Sequence, residues 1–144
     1  MRIRDVLRRK GATVVTITPD RTVTQLLESL AEHRVGALVV SRDGATIDGI
    51  VSERDVVRRL HSDGPGVLAQ PIHAIMTASV RTCRVEDTVD DLMRLMTEHR
   101  FRHVPVVTDG RLAGIVSIGD VVKARLDEME YETTSLRSFI HGES

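Results

Sequence analysis

The chain has 144 residues, 41% of them hydrophobic but only 2% aromatic (no Trp, one Tyr, two Phe), and its formal net charge is −1. A chain this long can bury roughly 68–70% of its unfolded surface, so one compact body with an aliphatic core is expected, two separate cores being too small. Few aromatic rings argue against base-stacking nucleic-acid binding, and balanced charge gives no pull towards phosphate backbones or membranes while favouring self-association.

From the N-terminus, Ile3, Val6 and Leu7 fall at i, i+3, i+4 among four Arg, which predicts a short amphipathic helix ended by Gly11. Val14 to Ile17 reads as a strand and Thr18-Pro19-Asp20 as a turn. Thr22 opens the next helix as N-cap with Gln25 completing a capping box, and the stripe Val23, Leu26, Leu27, Leu30, Ala31 is its expected buried face. Ala37 to Val40 has the continuous apolar character of a strand covered on both sides. Asp43-Gly44 turns the chain back, and Ile47 to Val51 returns. Ser52 then starts a helix running to about Leu60, so the unit is strand, helix, strand, strand, helix. Ser62 to Gly66 reads as a linker.

Beyond it the order repeats. Ile72, Ile75 and Met76 echo Ile3, Val6 and Leu7. At a constant shift of 66, Thr16 matches Thr82, Thr22-Val23 matches Thr88-Val89, Glu32-His33-Arg34 matches Glu98-His99-Arg100, and Asp43-Gly44 matches Asp109-Gly110. The shift drops to 65 in the turn that follows, and Gly49-Ile-Val-Ser52-Glu-Arg-Asp55 then returns as Gly114-Ile-Val-Ser117-Ile-Gly-Asp120. The end of the chain is acidic at Asp127, Glu128, Glu130 and Glu132 and carries Leu126, Met129, Leu136 and Ile140 at helical spacing. This predicts one or two amphipathic helices that cap the fold or clasp a partner subunit.

The two Gly-x-x-Ser-x-x-Asp junctions, the stretch Arg102-His-Val-Pro-Val-Val107 and the two Thr-Val helix starts together resemble the CBS domain, named after cystathionine β-synthase, here as a tandem pair. The resemblance implies an α/β fold of two pseudo-symmetric β-α-β-β-α repeats packed sheet to sheet, with two clefts that commonly take adenosine compounds: AMP, ADP, ATP, NAD or S-adenosylmethionine. Residues 1–61 are expected to form the first repeat, 62–71 a linker, 72–126 the second repeat and 127–144 a helical tail.

At each junction a Ser N-cap with an acid at N3 has a sufficient structural explanation, a capping box stabilising by ~1 kcal/mol. The functional reading is that Asp55 or Asp120 accepts hydrogen bonds from ribose hydroxyls while Ser52 or Ser117 and nearby N–H groups hold ribose or phosphate. The resemblance places the adenine slot at Val15, Thr16, Ile17, Gly36 and Ala37 in the first repeat and at Val80, Thr82, Cys83, Val104 and Pro105 in the second, residues that plain strand core also explains. Arg54, Arg102 and His103 are the candidate phosphate contacts, and a surface role suffices for Arg58 and Arg59. His33 and His99 suit helix C-termini better than a metal. Cys83, the only Cys, has no disulfide partner. No signal-peptide run, membrane span, Walker loop, Gly-x-Gly-x-x-Gly or His-Glu-x-x-His occurs. The expected protein is therefore a non-enzymatic, cytoplasmic, homodimeric adenine-nucleotide sensor that signals to a protein partner and needs no resident cofactor, metal, nucleic acid or membrane. The rival expectation is an interaction scaffold with empty clefts.

Overall fold

Four helices start by one device. Thr22, Ser52, Thr88 and Ser117 each accept a hydrogen bond from the N–H three residues on, and Gln25, Asp55, Asp91 and Asp120 accept one back from the cap N–H at 2.8 to 3.3 Å. Both orphan ends are satisfied at once, which fixes where each helix begins. The protein was studied as a computed structural model, which describes residues 1–140. Its order is α1 (Ile3–Lys10), β1 (Thr16–Ile17), α2 (Val23–His33), β2 (Ala37–Val40), β3 (Gly49–Ser52), α3 (Glu53–Asp63), two short 3-10 helices (Pro65–Ala69 and Ile72–Ala74), α4 (Val89–His99), β4 (His103–Thr108), β5 (Arg111–Ser117) and α5 (Ile118–Ile140). This is a mixed α/β fold of two pseudo-symmetric repeats with one sheet each.

In the first sheet β1 runs parallel to β2, and β2 antiparallel to β3. The second holds β4 antiparallel to β5, and the strand expected before it is reduced to Cys83, bridged in parallel to Val106 as Ile17 is to Val40. Two further expectations change. The buried stripe of α2 is narrower, Val23, Leu26 and Leu30, with Leu27 half-buried and Ala31 exposed because the last turn lies in solvent. The stretch expected to be a linker is built into the fold: α3 runs to Asp63, and Val67 of the next 3-10 helix is fully buried.

The single core expected is two. One gathers Val23, Leu26, Leu30, Leu38, Val40, Val51 and Val56 with Val67, Ile72 and Ile75, and the other gathers Cys83, Val89, Leu92, Met96, Val104, Val106, Val116, Val121 and Ala124 with Ile3, Val6 and Leu7. Each half borrows its lead-in from the other. Main-chain bonds fasten the exchange: Ile3 N–H donates to Asp87 O at 2.9 Å and Val89 N–H to Met1 O at 3.0 Å, while Ile72 N–H donates to Arg21 O at 2.8 Å and Val23 N–H to Gln70 O at 3.0 Å. Cores too small to stand alone are completed by apolar residues from the other repeat, so the two halves are tied into one body.

The tail is one helix continuous with the second junction, 23 residues long. The last four residues of the expected tail, 141–144, lie outside those described. No helix among the described residues is long and apolar enough to cross a membrane.

Candidate functional site

Antiparallel pairing of β2 with β3 sets Ala37 opposite Ser52, so Ala37 and Ile50 form a wall beside the N-terminus of α3. The exchanged lead-in supplies the facing wall: after its 3-10 turn the chain makes one isolated bridge, in which Thr77 and Ile50 exchange both main-chain bonds at 2.9 Å. Thr77, Ser79, Val80 and Arg81 thereby join Ser52, Arg54, Asp55 and Arg58 around a cavity of about 430 Å³, closed on the far side by His99, Arg100, Phe101 and His103. That volume is in the range of small-molecule sites.

Arg54 and Arg58, on the same helix as Asp55, and Arg81 and Arg100, from the other repeat, line this cavity together with that one carboxylate. Asp55 is engaged only within its capping box: Oδ2 accepts from the Ser52 N–H at 2.8 Å and from Ser52 Oγ at 3.0 Å, and Oδ1 accepts nothing among the described residues. Arg100 ends α4 at φ 57, a left-handed position where glycine would be less strained, as does its counterpart Arg34 at φ 55. The His99 and Phe101 rings stack at 5.5 Å. His103 reaches across to the first repeat, where a Cβ on Gly36 would stand 3.6 Å from its Cε1. Burial pushes the His103 imidazole below its ordinary value, Lys10 and Arg102 push the same way, and Asp120 and Glu53 oppose them.

A second hollow of about 600 Å³ lies between the N-termini of α3 and α5, lined by Gly36, Ser52, Glu53, Arg54, Val57, Arg102, His103, Ser117, Ile118 and Gly119. Ser52, Arg54 and His103 border both spaces. Two helix N-termini thus border one shared groove; in each the first N–H is taken by a main-chain carbonyl (Gly36 O, Arg102 O) and the third by the capping Ser, which leaves the N–H groups of Arg54 and Gly119.

At the other junction the carboxylate is engaged. Lys10, at the end of α1, donates to Asp120 Oδ2 at 2.6 Å and to Ile115 O at 2.8 Å, so an ammonium sits against the carboxylate that is free in the first half. Burial would raise the Asp120 pKa, but the Lys10 ammonium and the Ser117 N–H outweigh it and hold the carboxyl below the usual range. Only a space of about 90 Å³ remains beside Lys10, Asp120 and Lys123.

Of the residues singled out from the sequence, the structure brings together Ala37, Ser52, Arg54, Asp55, Val80 and His103 in the first cavity, and Gly36, Arg102 and Ser117 in the adjoining groove. Val15, Thr16, Ile17, Thr82, Cys83, Val104 and Pro105 line neither. Cys83 and Val104 are buried in the second core, where burial pushes the thiol up to about 12. Arg58, assigned to the surface, lines the cavity, whereas Arg59 braces the fold on Asp63 and Ala74 O. Thr77, Ser79, Arg81 and Arg100 lie outside the sequence-based set. The Glu-His-Arg repeat is a signal for Arg100; the resemblance places Val80 at a slot, but nothing local signals that Thr77, Ser79 and Arg81 reach the first repeat's cavity, which they do through the exchange.

The sequence matches the CBS domain family over residues 3–62 and 72–127. A mitochondrial CBS domain-containing protein of Arabidopsis thaliana, CBSX3, is 37% identical over 97% of this chain and 72% of its own length. The crystal structure of a CBS-domain containing protein from Agrobacterium tumefaciens superimposes with a TM-score of 0.84 at 47% identity, covering 87% of this chain and 99% of that one. A CBS domain pair crystallised with 5′-methylthioadenosine and S-adenosyl-L-methionine shares the fold, with a TM-score of 0.78 at 23% identity over 89% of this chain and 98% of that one. The exchanged, twofold-repeated architecture and the two Ser/Asp junctions are therefore those of a known module, and this chain belongs to the CBS domain family as a tandem pair.

Proposed function

We propose that this chain is a non-catalytic regulatory module that binds one phosphate-bearing adenosine compound, such as AMP, ADP, ATP or NAD, in the first cleft. One observation carries the reading: a carboxylate with a free oxygen and four arginines line one cavity. Asp55 suits a ribose diol, since an ionised carboxylate accepts two hydrogen bonds side by side. The apolar wall of Ala37, Ile50 and Val80 suits a flat base, and Arg54, Arg58, Arg81 and Arg100 suit phosphates, with the groove at the α3 and α5 N-termini receiving the distal ones. The excess of cationic groups disfavours S-adenosylmethionine, whose sulfonium is itself a cation. Occupancy reaches a protein partner if ligand binds one arrangement of the two halves better than another; His103 and Arg100 come from the second repeat and Asp55 from the first, so a bound ligand bridges both.

Calorimetric titration with adenosine, AMP, ADP, ATP, NAD, S-adenosylmethionine and GTP tests this. The expected result is one site per chain, with ADP or ATP at least about tenfold tighter than adenosine. Absence of binding by every adenine compound at millimolar concentration overturns the proposal, and tighter binding of S-adenosylmethionine than ADP overturns the assignment of the arginines.

A further inference from the structure

α5 outgrows the body it starts on. Val121 and Ala124 are buried and Arg125, Asp127 and Glu128 half-buried, but from Met129 to Ile140 every residue except Ser138 is exposed. Twelve residues of helix with no tertiary cover are marginal in water. The apolar residues on this helix are ordered: Val122, Leu126, Met129, Thr133, Leu136 and Ile140 succeed one another at steps of 4, 3, 4, 3 and 4. The five hydrophobic ones are 49 to 69% exposed. That is the 3.5-residue period of a coiled-coil seam, with Val122, Met129 and Leu136 at d and Leu126, Thr133 and Ile140 at a.

We propose that this seam pairs with the same seam of a second copy of the chain as a parallel, in-register, two-stranded coiled coil. The flanking charges choose occupant and direction. Arg125 and Glu132 fall at g, and Lys123, Glu130 and Arg137 at e. In a parallel self-pair a g residue meets the partner copy's e residue about five positions on. Arg125 then meets Glu130, and Glu132 meets Arg137, both opposite in sign and each made twice by symmetry. An antiparallel self-pair instead sets e against e and g against g, confronting Lys123 with Arg137, Glu130 with Glu130 and Glu132 with Glu132. Within one chain Arg125 bonds Glu128 at 3.0 Å, whereas Glu130, Glu132 and Arg137 form no ion pair among the described residues. Ile140 at a with Leu136 at d favours two strands, and Thr133 can turn its methyl to the seam because its hydroxyl is satisfied by Met129 O at 2.9 Å. The seam covers fewer than three heptads, so the association it gives by itself is weak. It lies outside the clefts and is independent of what they bind.

The test uses the full chain, whose one native Cys is buried. Leu136→Cys places a thiol on the seam and Ser135→Cys places one at c, on the outer face of the same turn; both positions are exposed, so folding is not at stake. Under mild oxidation Leu136→Cys is expected to form a covalent dimer at least about tenfold faster than Ser135→Cys. Sedimentation velocity is expected to show association weakened roughly tenfold by Arg137→Glu and restored by Glu132→Arg together with Arg137→Glu. Equal cross-linking at the two positions, a chain that stays monomeric, or indifference to Arg137→Glu overturns the proposal.

Discussion

The two junctions of this molecule are copies that have been put to different use. Ser52 with Asp55 and Ser117 with Asp120 have the same capping geometry, and each strand leading in carries a glycine pressed by the opposite lead-in: a Cβ on Gly49 would stand 2.7 Å from Met76 Sδ, and one on Gly114 2.7 Å from Leu7 Cδ2. What differs is the continuation of the lead-in. After Met76 the chain leaves helical structure and gives the first junction its backbone, through Thr77, whereas α1 continues past Leu7 for another turn and gives the second junction the Lys10 ammonium. Ile50 O accepts a main-chain N–H where Ile115 O accepts a lysine. A duplicated site is thus opened or filled by a segment belonging to the other copy.

The strongest way to break this comparison is to remove the exchanged anchors. Ile3 and Ile72 are both fully buried, so Ile3→Ala and Ile72→Ala are each expected to cost about 3 kcal/mol in urea unfolding. The location of the damage is the sharper readout. Amide exchange should rise in β2 and β3 after Ile72→Ala and in β4 and β5 after Ile3→Ala, each loss appearing in the other repeat; loosening of the mutated residue's own repeat would show that the exchange is not what holds the cores. At the glycines the expected order is Gly49→Ala worse than Gly114→Ala, by roughly 1–3 kcal/mol against less, because the added methyl at 49 also meets the Thr77 carbonyl at 2.9 Å while at 114 it meets only the end of a leucine. Equal thermal shifts for the two would contradict that account.

The capping boxes and repeated strands were legible in the sequence because they are local: a hydroxyl and an acid three residues apart, or a continuous apolar run, need no knowledge of the far side of the molecule. The column-by-column match at a shift of 66 even aligned Ile17 with Cys83, which hold equivalent bridges. The same match misled in the site. It drew attention to Thr16, Ile17, Thr82 and Cys83 alongside Val80, yet of these only Val80 lines the open cavity, beside Thr77, Ser79 and Arg81. In the other register, the one that sets Ile72 against Ile3, Lys10 corresponds to Ser79. Which half a lead-in packs on is a tertiary fact, settled by where Ile3 and Ile72 are buried, and no spacing announces it. Arg58 is exposed, as a surface arginine should be, and it also borders the cavity; an exposed arginine on a helix reads as solvated surface until a second wall is known to face it.

At the level of ligand, Asp55→Ala is expected to weaken binding of the preferred adenine nucleotide about 30-fold, the equivalent of ~2 kcal/mol for lost hydrogen bonds to a charged group. Asp120→Ala is expected to change it less than about twofold, because that carboxylate is occupied by Lys10. Equal losses would mean that both clefts bind. The comparison is sharpened by Lys10→Ala, which frees Asp120 and Ile115 O together; calorimetry is expected to show a second, weaker site per chain, and stoichiometry held at one would show that the lysine is not what closes the cleft.

The smallest effect expected separates the halves by pH, because the repeats place His103 where the first has Ala37. Burial leads the lowering of the His103 pKa below 6.5. The unfolded chain, with an unshifted imidazole, then binds more protons than the folded one as pH falls through 6.5, so this residue subtracts stability on the acid side and nothing above it. A phosphate arriving beside His103 works the other way, favouring the imidazolium, so nucleotide affinity should increase over the same fall in pH. Two slopes of opposite sign, stability down and affinity up, would come from one side chain, and His103→Gln should flatten both. The Lys10–Asp120 contact cannot produce them: Asp120 is held below its usual 3.8, so that contact persists until far lower pH. Slopes that survive His103→Gln would place the titrating group elsewhere, and would remove the second repeat's histidine from the ligand's surroundings.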